Sequence, residues 1–522
     1  MNNIKILDAT LRDGGYCNQW NFGLQNIKKI VNGLTQANID IIECGLLCEG
    51  IFSDDETKYG NIEQIGKIMP DIKGDNIFVC LMNYGEYDVD KLPECDGTSI
   101  DGIRVAFHKQ DMGKALELCK KIKKKKYKVF VQPMVSLAYS DKEYIRMIEE
   151  VNEIEPYAFY IVDSFGRMKR KDIVRLFYLV EHNLNETIMI GFHGHNNLQL
   201  AFANAQTLVD INTERLLIID SCIMGMGRGA GNLNSELLIE YLNDDGYYDV
   251  APVLKVIDDV ISFFHNEKSW GFTLPNYLSA MYNVHPNYAT FLSDKNTLSI
   301  QKMDELLSLV ETNKKTRFDK KYIENLYFKY MERSALNDAA HANEFMSAIL
   351  GKKVLLIAPG LSSQEEAVEI KAFADHTDVI SISINFEYQY YASDYVYVSN
   401  MKRYEKLHIS DREDRLIVTS NIDTDCAYLC LNYTELLCEI DAVRDNAAVM
   451  LIKYLIGIGV CDIYLAGLDG YSYDINKDYA EGMQLVTERT TLEKMNEGMK
   501  IALQKFGEQC HLHFLTRKNL YV

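Results

Sequence analysis

Two histidines stand two residues apart in GFHGHNNLQLAFANA, residues 191–205, at the edge of an apolar run. Residues i and i+2 of a strand point to one side, so His193 and His195 can present two imidazoles to one ion. Asp13, near the N-terminus, offers a carboxylate to the same ion. Mixed nitrogen and oxygen ligation suits Mn²⁺, Co²⁺, Fe²⁺ or Zn²⁺, with Mg²⁺ as a further candidate. An ion left with open positions can polarise a ketone or carboxylate oxygen and stabilise an enolate. Arg12, beside Asp13, can fork onto the same substrate carboxylate or oxyanion. On pattern alone, capped strand ends explain these residues equally well.

The elements that would position them are legible as a rhythm. Short apolar runs occur at 4–11 (IKILDATL), 39–47 (IDIIECGLL), 76–83 (NIFVCLMN), 102–108 (GIRVAFH), 128–136 (KVFVQPMVS), 158–164 (AFYIVDS), 187–195 (TIMIGFHGH) and 215–223 (RLLIIDSCI). Amphipathic helical stretches separate them. Eight βα repeats in a row fit a (β/α)₈ TIM barrel better than an open sheet. Each run ends in polar residues: Arg12 and Asp13, Glu43, Asn83, His108, Ser136, Asp163 and Ser164, His193 and His195, Asp220. A barrel gathers those ends at one mouth, where its active site lies.

At 522 residues the chain is too long for one core. From about 250 to 345 the pattern is helical and partly aromatic, as in SWGFTLPNYLSAMYNVHPNYATFL, and a second α/β unit starts at KKVLLIAPGLSS, residues 352–363. It continues through DVISISINF, DYVYVSN, RLIVTSN and DIYLAGLDGYS, consistent with a doubly wound, Rossmann-like parallel sheet. The expected domains are therefore a barrel over 1–285, a helical extension over 286–350 and a Rossmann-like α/β domain over 351–522.

Charge and composition exclude several functions. The net charge of −20 opposes binding to a nucleic-acid backbone, and the basic run KKIKKKKYK at 120–128 reads as the solvated end of a helix. No apolar stretch is long enough for a membrane span, and the N-terminus lacks the pattern of a secretory signal. Twelve cysteines without a CxxC pair read as reduced thiols of a cytoplasmic protein.

Five motifs then converge. LDATLRDGGY, IIECG, IVDSFG, GFHGHNNLQLAFANA and GMGRGAGNLNSE appear in this order, and together they resemble the DRE-TIM metallolyase superfamily, the HMG-CoA lyase-like enzymes. The resemblance covers roughly residues 1–285. It implies that Asp13, His193 and His195 ligate a divalent metal, that Arg12 is the catalytic arginine, and that Glu43 is its supporting carboxylate. Asn232 matches a further metal ligand of the lyase branch, and Ser164 a substrate contact of the aldolase branch. Glu43 as a structural buried pair and Asn232 as a helix cap are the bland alternatives.

The loop after the eighth strand reads GMGRGAGN and holds no cysteine, and Cys222 comes too early to replace the catalytic cysteine of HMG-CoA lyases. This resembles the 4-hydroxy-2-oxovalerate aldolase type instead. One departure stands out: where the pyruvate aldolases carry a histidine just after RDG, this chain has GGYC, with Tyr16 near that place. A tyrosine with a pKa of about 10 is a poor base at neutral pH. A metal-bound water, Tyr16 with a lowered pKa, or His108 must then move the proton. The resemblance also implies a tyrosine beyond the eighth strand that reaches back as a proton donor, with Tyr277 the best match and Tyr282 the next.

The expected activity is a divalent-metal-dependent aldolase or lyase, Mn²⁺ foremost. It would act through the enolate of a 2-oxo acid such as pyruvate, bound by Arg12, His108, Ser164 and His193, with an aldehyde as the second substrate. An acyl-CoA-dependent Claisen-type synthase and a binding or regulatory protein with a degenerate barrel are the alternatives. A homo-oligomer is the expected assembly, without nucleic-acid or membrane partners. The C-terminal unit weakly resembles Rossmann-like domains of sialyltransferase-type and hydroxymethylpterin-pyrophosphokinase-like proteins. That resemblance, with the turn at 359–363, implies a nucleotide or sugar-phosphate pocket near Gly360, Ser362, Asn385 and Asp469, the turn's N–H groups facing an anion.

Overall fold

A parallel strand covered by helices on one face and by barrel side chains on the other must be apolar on both. The strands obey this. They are β1 (Ile4–Asp8), β2 (Ile41–Leu47), β3 (Lys58–Tyr59), β4 (Ile77–Asn83), β5 (Gly102–Phe107), β6 (Lys128–Pro133), β7 (Ala158–Asp163), β8 (Met189–Gly194) and β9 (Leu217–Ser221). Every residue of β2, β5, β7 and β9 is buried. This computed structural model describes residues 3–70, 74–243, 246–332, 339–407, 412–424, 426–472 and 489–517. The chain divides into two units, Met1–Ala289 with Val310–Phe318 and Thr290–Leu309 with Asp319–Val522.

In the first unit the strands run β1-β9-β8-β7-β6-β5-β4-β2, and β1 pairs with β2 to close an eight-stranded parallel TIM barrel; the two-residue β3 adds outside β2. Leu7, Ile41, Val79, Phe130, Ala158, Tyr160 and Ile218 form the apolar cluster of the barrel interior. A larger cluster lies between strands and outer helices. The basic run ends the helix Met112–Lys124, where lysines complement the negative end of the helix dipole.

One expected strand is shorter than the apolar run suggested. The run 4–11 leaves the sheet after Asp8, and Thr10–Asp13 forms a helical turn. The Asp8 carboxylate accepts from Thr10 N at 2.9 Å, and Gly14 N donates to Thr10 O at 3.0 Å. Arg12 and Asp13 therefore sit on a turn after the strand rather than at its end.

The second unit holds helices Ile300–Ser308, Lys320–Met331 and Ala339–Ile349, and a seven-stranded parallel sheet. Its strands are β10 (Lys353–Ile357), β11 (Val379–Ile384), β12 (Tyr395–Val398), β13 (Leu416–Thr419), β14 (Leu429–Leu431), β15 (Asp462–Ala466) and β16 (His511–Phe514), ordered β14-β13-β12-β11-β10-β15-β16. The five apolar runs read from the sequence are all there. β14 and β16, only three and four residues long, carry too little pattern to be read. The order reverses between β10 and β15, the switch point at which open α/β sheets bind ligands.

Candidate active site

A layer of charge caps the apolar interior of the barrel. Strand alternation places Glu43 two residues after Ile41, Asp220 two after Ile218 and His193 two after Gly191, all on the inward face. Arg104 joins them from β5 and is wholly buried. Arg104 Nη1 donates to Glu43 Oε2 at 2.7 Å, and Nη2 pairs with Asp220 Oδ2. Asp220 also accepts from Tyr160 Oη at 3.0 Å and contacts His193 Nδ1 at 2.9 Å. Arg12 Nε donates to Glu43 Oε2 at 2.9 Å, and its Nη1 lies 3.1 Å from Asp13 Oδ1. Positive and negative groups thus alternate from Arg12 through Glu43 and Arg104 to Asp220, which also contacts the His193 ring. Deleting one partner of such a buried pair costs about 3–5 kcal/mol. Gly191 is part of this design, since a Cβ there would lie 2.3 Å from the Tyr160 ring.

Asp13, His193 and His195 converge. Asp13 Oδ2 is 3.5 Å from His193 Nε2 and 3.7 Å from His195 Nε2, and one ligand atom of each residue lies within 4.8 Å of the others. Ligands at about 2.0–2.2 Å from one ion stand about 3–4 Å apart, so the spacing fits. Two buried oxygens, Asp13 Oδ2 and Asn232 Oδ1, have no hydrogen-bond partner. Asn232 uses its amide nitrogen on Met226 O at 3.2 Å, which leaves that oxygen as a donor atom for a cation. Gly227 keeps the space clear: a Cβ there would sit 2.1 Å from Asn232 Nδ2 and 3.6 Å from Asp13 Cγ. The residues present fit a divalent metal.

Electrostatics prepare the two rings differently. Asp220 Oδ2 accepts from His193 Nδ1–H, which turns Nε2 toward Asp13. Burial pushes the His193 pKa down, but the nearby Asp13 carboxylate and the bond to Asp220 outweigh that and raise it. Burial lowers His195 to about 3, with His193, Arg228 and Arg12 acting in the same direction and Asp13 against it. His195 is thus held neutral. For Asp13 burial acts upward, but Arg12, His195 and His193 together hold its carboxyl well below the usual range.

The other residues singled out in the sequence are placed as follows. Tyr16 is 37% exposed, its ring edge-on to Trp20 at 4.6 Å and beneath the Arg228 guanidinium at 5.3 Å. His108 follows β5; burial, then Arg317, lowers its pKa. The Ser164 hydroxyl is buried and accepts from Val135 N at 2.9 Å. Tyr277 lies on the helix Leu274–Tyr282 with its ring 6.5 Å from Phe272. Among the described residues no hydrogen bond joins Tyr277 to the Asp13 cluster. The backbone carbonyl of Tyr282 accepts from Lys315 Nζ at 3.1 Å.

Sequence reading overlooked Arg104, Tyr160 and Asn197. A lone arginine inside the apolar run GIRVAFH was the available signal for Arg104, because a strand buried on both faces accepts a charge only with partners. Asn197 ties together three elements: Nδ2 donates to Asn276 O and Ser279 Oγ at 3.1 and 3.2 Å, while Oδ1 accepts from Ala230 N at 3.4 Å.

In the second unit Gly360, Asn385 and Asp469 line a cavity of about 170 Å³ at the C-terminal ends of β10, β11, β12 and β15. The turn itself does not present its N–H groups to an anion. Ser362 N donates to Asp469 Oδ2 at 2.7 Å, Ser362 Oγ to Asp469 Oδ1, and Gly360 N to Gly467 O at 2.8 Å. Asp469 stands where the anion was expected.

With this geometry in view, the comparisons are consistent with one another. The HMGL-like family model matches residues 3–258. The 4-hydroxy-2-oxovalerate aldolase 2 of Comamonas testosteroni is 26% identical over 260 residues, which is 49% of this chain and 73% of that protein. The 4-hydroxy-2-oxovalerate aldolase of Moorella thermoacetica is 29% identical over 271 residues, 49% of this chain and 76% of that protein. Among solved structures, an N-terminal domain from Bacteroides vulgatus is 27% identical, with a TM-score of 0.49 over 58% of this chain and 99% of that one. Residues 3–258, just under half of the chain, thus carry an HMGL-like domain, and the relatives support its resemblance to the DRE-TIM metallolyase superfamily.

Proposed function

We propose that the barrel is a divalent-metal-dependent carbon–carbon lyase of the aldolase type, which forms or cleaves a bond between a 2-oxo acid such as pyruvate and an aldehyde. The observation that carries this is the convergence of Asp13, His193 and His195 within 4.8 Å of one another beside Arg12, with Asp13 Oδ2 buried and unpartnered. Asp13, His193, His195 and Asn232 would hold the ion, Mn²⁺ foremost given the mixed donors. When bound, it would supply Lewis acidity to the carboxylate and ketone oxygens of the 2-oxo acid. Arg12 is held by Glu43 through Nε and by Asp13 through Nη1. Its Nη2, which has no partner among the described residues, is the edge offered to the oxyanion that develops as the methyl proton leaves. Ser164 and His108 would border the substrate, and Tyr16 and Tyr277 would handle protons. Twelve cysteines without a CxxC pair are in keeping with a reducing, cytoplasmic setting.

The test needs no knowledge of the aldehyde. Pyruvate incubated with the protein and Mn²⁺ in D₂O is expected to gain deuterium in its methyl group, as read by proton NMR, and chelation of the metal is expected to stop this. No exchange with any of a panel of 2-oxo acids would remove the reading. Release of coenzyme A from acetyl-CoA with a 2-oxo acid would favour a Claisen-type synthase.

For the second unit we propose a nucleotide or sugar phosphate as ligand, supported by the cavity at the switch point, which Lys295 and Arg403 also line. Calorimetric titration of the full chain with nucleotides and nucleotide sugars is expected to show binding that weakens on Arg403→Ala. Absence of binding at millimolar concentration counts against it.

A further inference from the structure

The loop that carries Asn232 also carries a cation without a counter-ion. Arg228 follows Gly227, and its guanidinium lies over Tyr16 with Nη1 3.2 Å from His285 Nε2. Its Nε is buried with no acceptor. Among the described residues no carboxylate pairs with Arg228. Arg228 as a whole is half-buried, so a guanidinium with an inaccessible, unmatched Nε and no carboxylate beside it is a ready partner for an anion.

The tautomer of His285 sharpens the point. His285 faces a donor at each ring nitrogen, Asn287 N at Nδ1 and Arg228 Nη1 at Nε2, both at 3.2 Å, and a neutral ring can accept from only one of them. An anion accepting from Arg228 and from the Nε2–H form of the ring would leave no donor there unmatched. The rings of Phe165 and Phe318, with centroids 6.1 and 5.9 Å from that of His285, form apolar walls. Burial and then Arg228, His108 and His195 keep His285 uncharged. His108 lies near Arg317 and Arg228, with Asp111 opposing them. Arg228 is also close enough to His195 to help hold that ring neutral. A guanidinium with an unmatched Nε, facing a ring that has one donor too many, forms an oxyanion site beside the Asp13 cluster.

We infer that the second substrate of this enzyme is an aldehyde bearing an oxyanion, a phosphate or a carboxylate, which Arg228 and His285 bind. The inference rests on the lyase reading for the word aldehyde, and on the geometry alone for the anion.

Two matched pairs of aldehydes test it: glycolaldehyde phosphate against glycolaldehyde, and succinic semialdehyde against butanal, each with pyruvate and Mn²⁺. One charged member is expected to exceed its neutral partner in kcat/KM by more than tenfold, and which one does so identifies the anion. Arg228→Met is expected to collapse that ratio toward one and Arg228→Lys to restore part of it, with thermal unfolding used to show that both variants are folded. A second readout requires no turnover. The only two tryptophans lie near this loop, Trp20 against Tyr16 and Trp270 donating to Met224 O at 2.8 Å, so their fluorescence can follow binding of the same aldehydes. Quenching by a charged aldehyde in a protein that never exchanges pyruvate would defeat the lyase reading and leave the anion site standing. Equal affinity for charged and neutral members, or a preference untouched by Arg228→Met, overturns the inference.

Discussion

Asp13→Ala is expected to weaken Mn²⁺ binding by at least about 100-fold and to lower pyruvate deuterium exchange about 1000-fold or more, the loss of several kcal/mol of Lewis-acid assistance. The reason is the position of its carboxylate. Oδ2 faces both imidazoles and has no other partner, so no neighbouring oxygen can take its place. The fold should survive, because Glu43 still accepts from both Arg12 and Arg104. Calorimetry with Mn²⁺ and a thermal melt in the same buffer check both halves. The wild-type affinity should also fall as pH drops, since Asp13 and Asp220 favour the protonated His193 against its burial and a metal must displace that proton. Tight Mn²⁺ binding by the alanine variant would show that the ion, if any, lies elsewhere.

The second large effect is on Arg12. Arg12→Lys is expected to cut turnover about 100- to 1000-fold, the range found when one preorganised donor to a developing oxyanion is removed. Metal affinity should change far less. Lysine keeps the charge beside Asp13 and Glu43 but cannot use Nε on Glu43 while presenting a second planar edge to the substrate. The split between kcat and metal affinity separates this role from a structural one. Turnover near that of the wild type would take Arg12 out of the chemistry. Glu43→Gln should be milder in rate and harsher in stability, because Glu43 serves two buried guanidinium groups at once.

How much of this was readable beforehand varies with the range of the interaction involved. The barrel was legible because each strand is an apolar run covered on both faces, a local property that leaves its mark in seven or eight consecutive residues. His193 and His195 were legible for the same reason: strand alternation places them on one side wherever the strand goes. The end of β1 was not, because Asp8 turns the chain through a side-chain bond to Thr10 N that competes with an apolar pattern continuing to Leu11. β14 and β16 are too short to show a period and exist through pairing with β13 and β15.

The amino-acid order by itself determined the parallel α/β architecture, the polar rim of the barrel and the residue types able to hold a divalent ion. Tertiary structure alone decided what joins them. Arg104, Asp220 and Tyr160 form one buried relay only because β5, β7 and β9 face each other across the closed barrel. Asp469 fills the turn at Ser362 from 107 residues away. Arg228 Nη1 meets His285 Nε2 at 3.2 Å across 57 residues. Periodicity records which face a side chain takes within its own element, whereas charge pairing depends on distance in space, which no local pattern encodes.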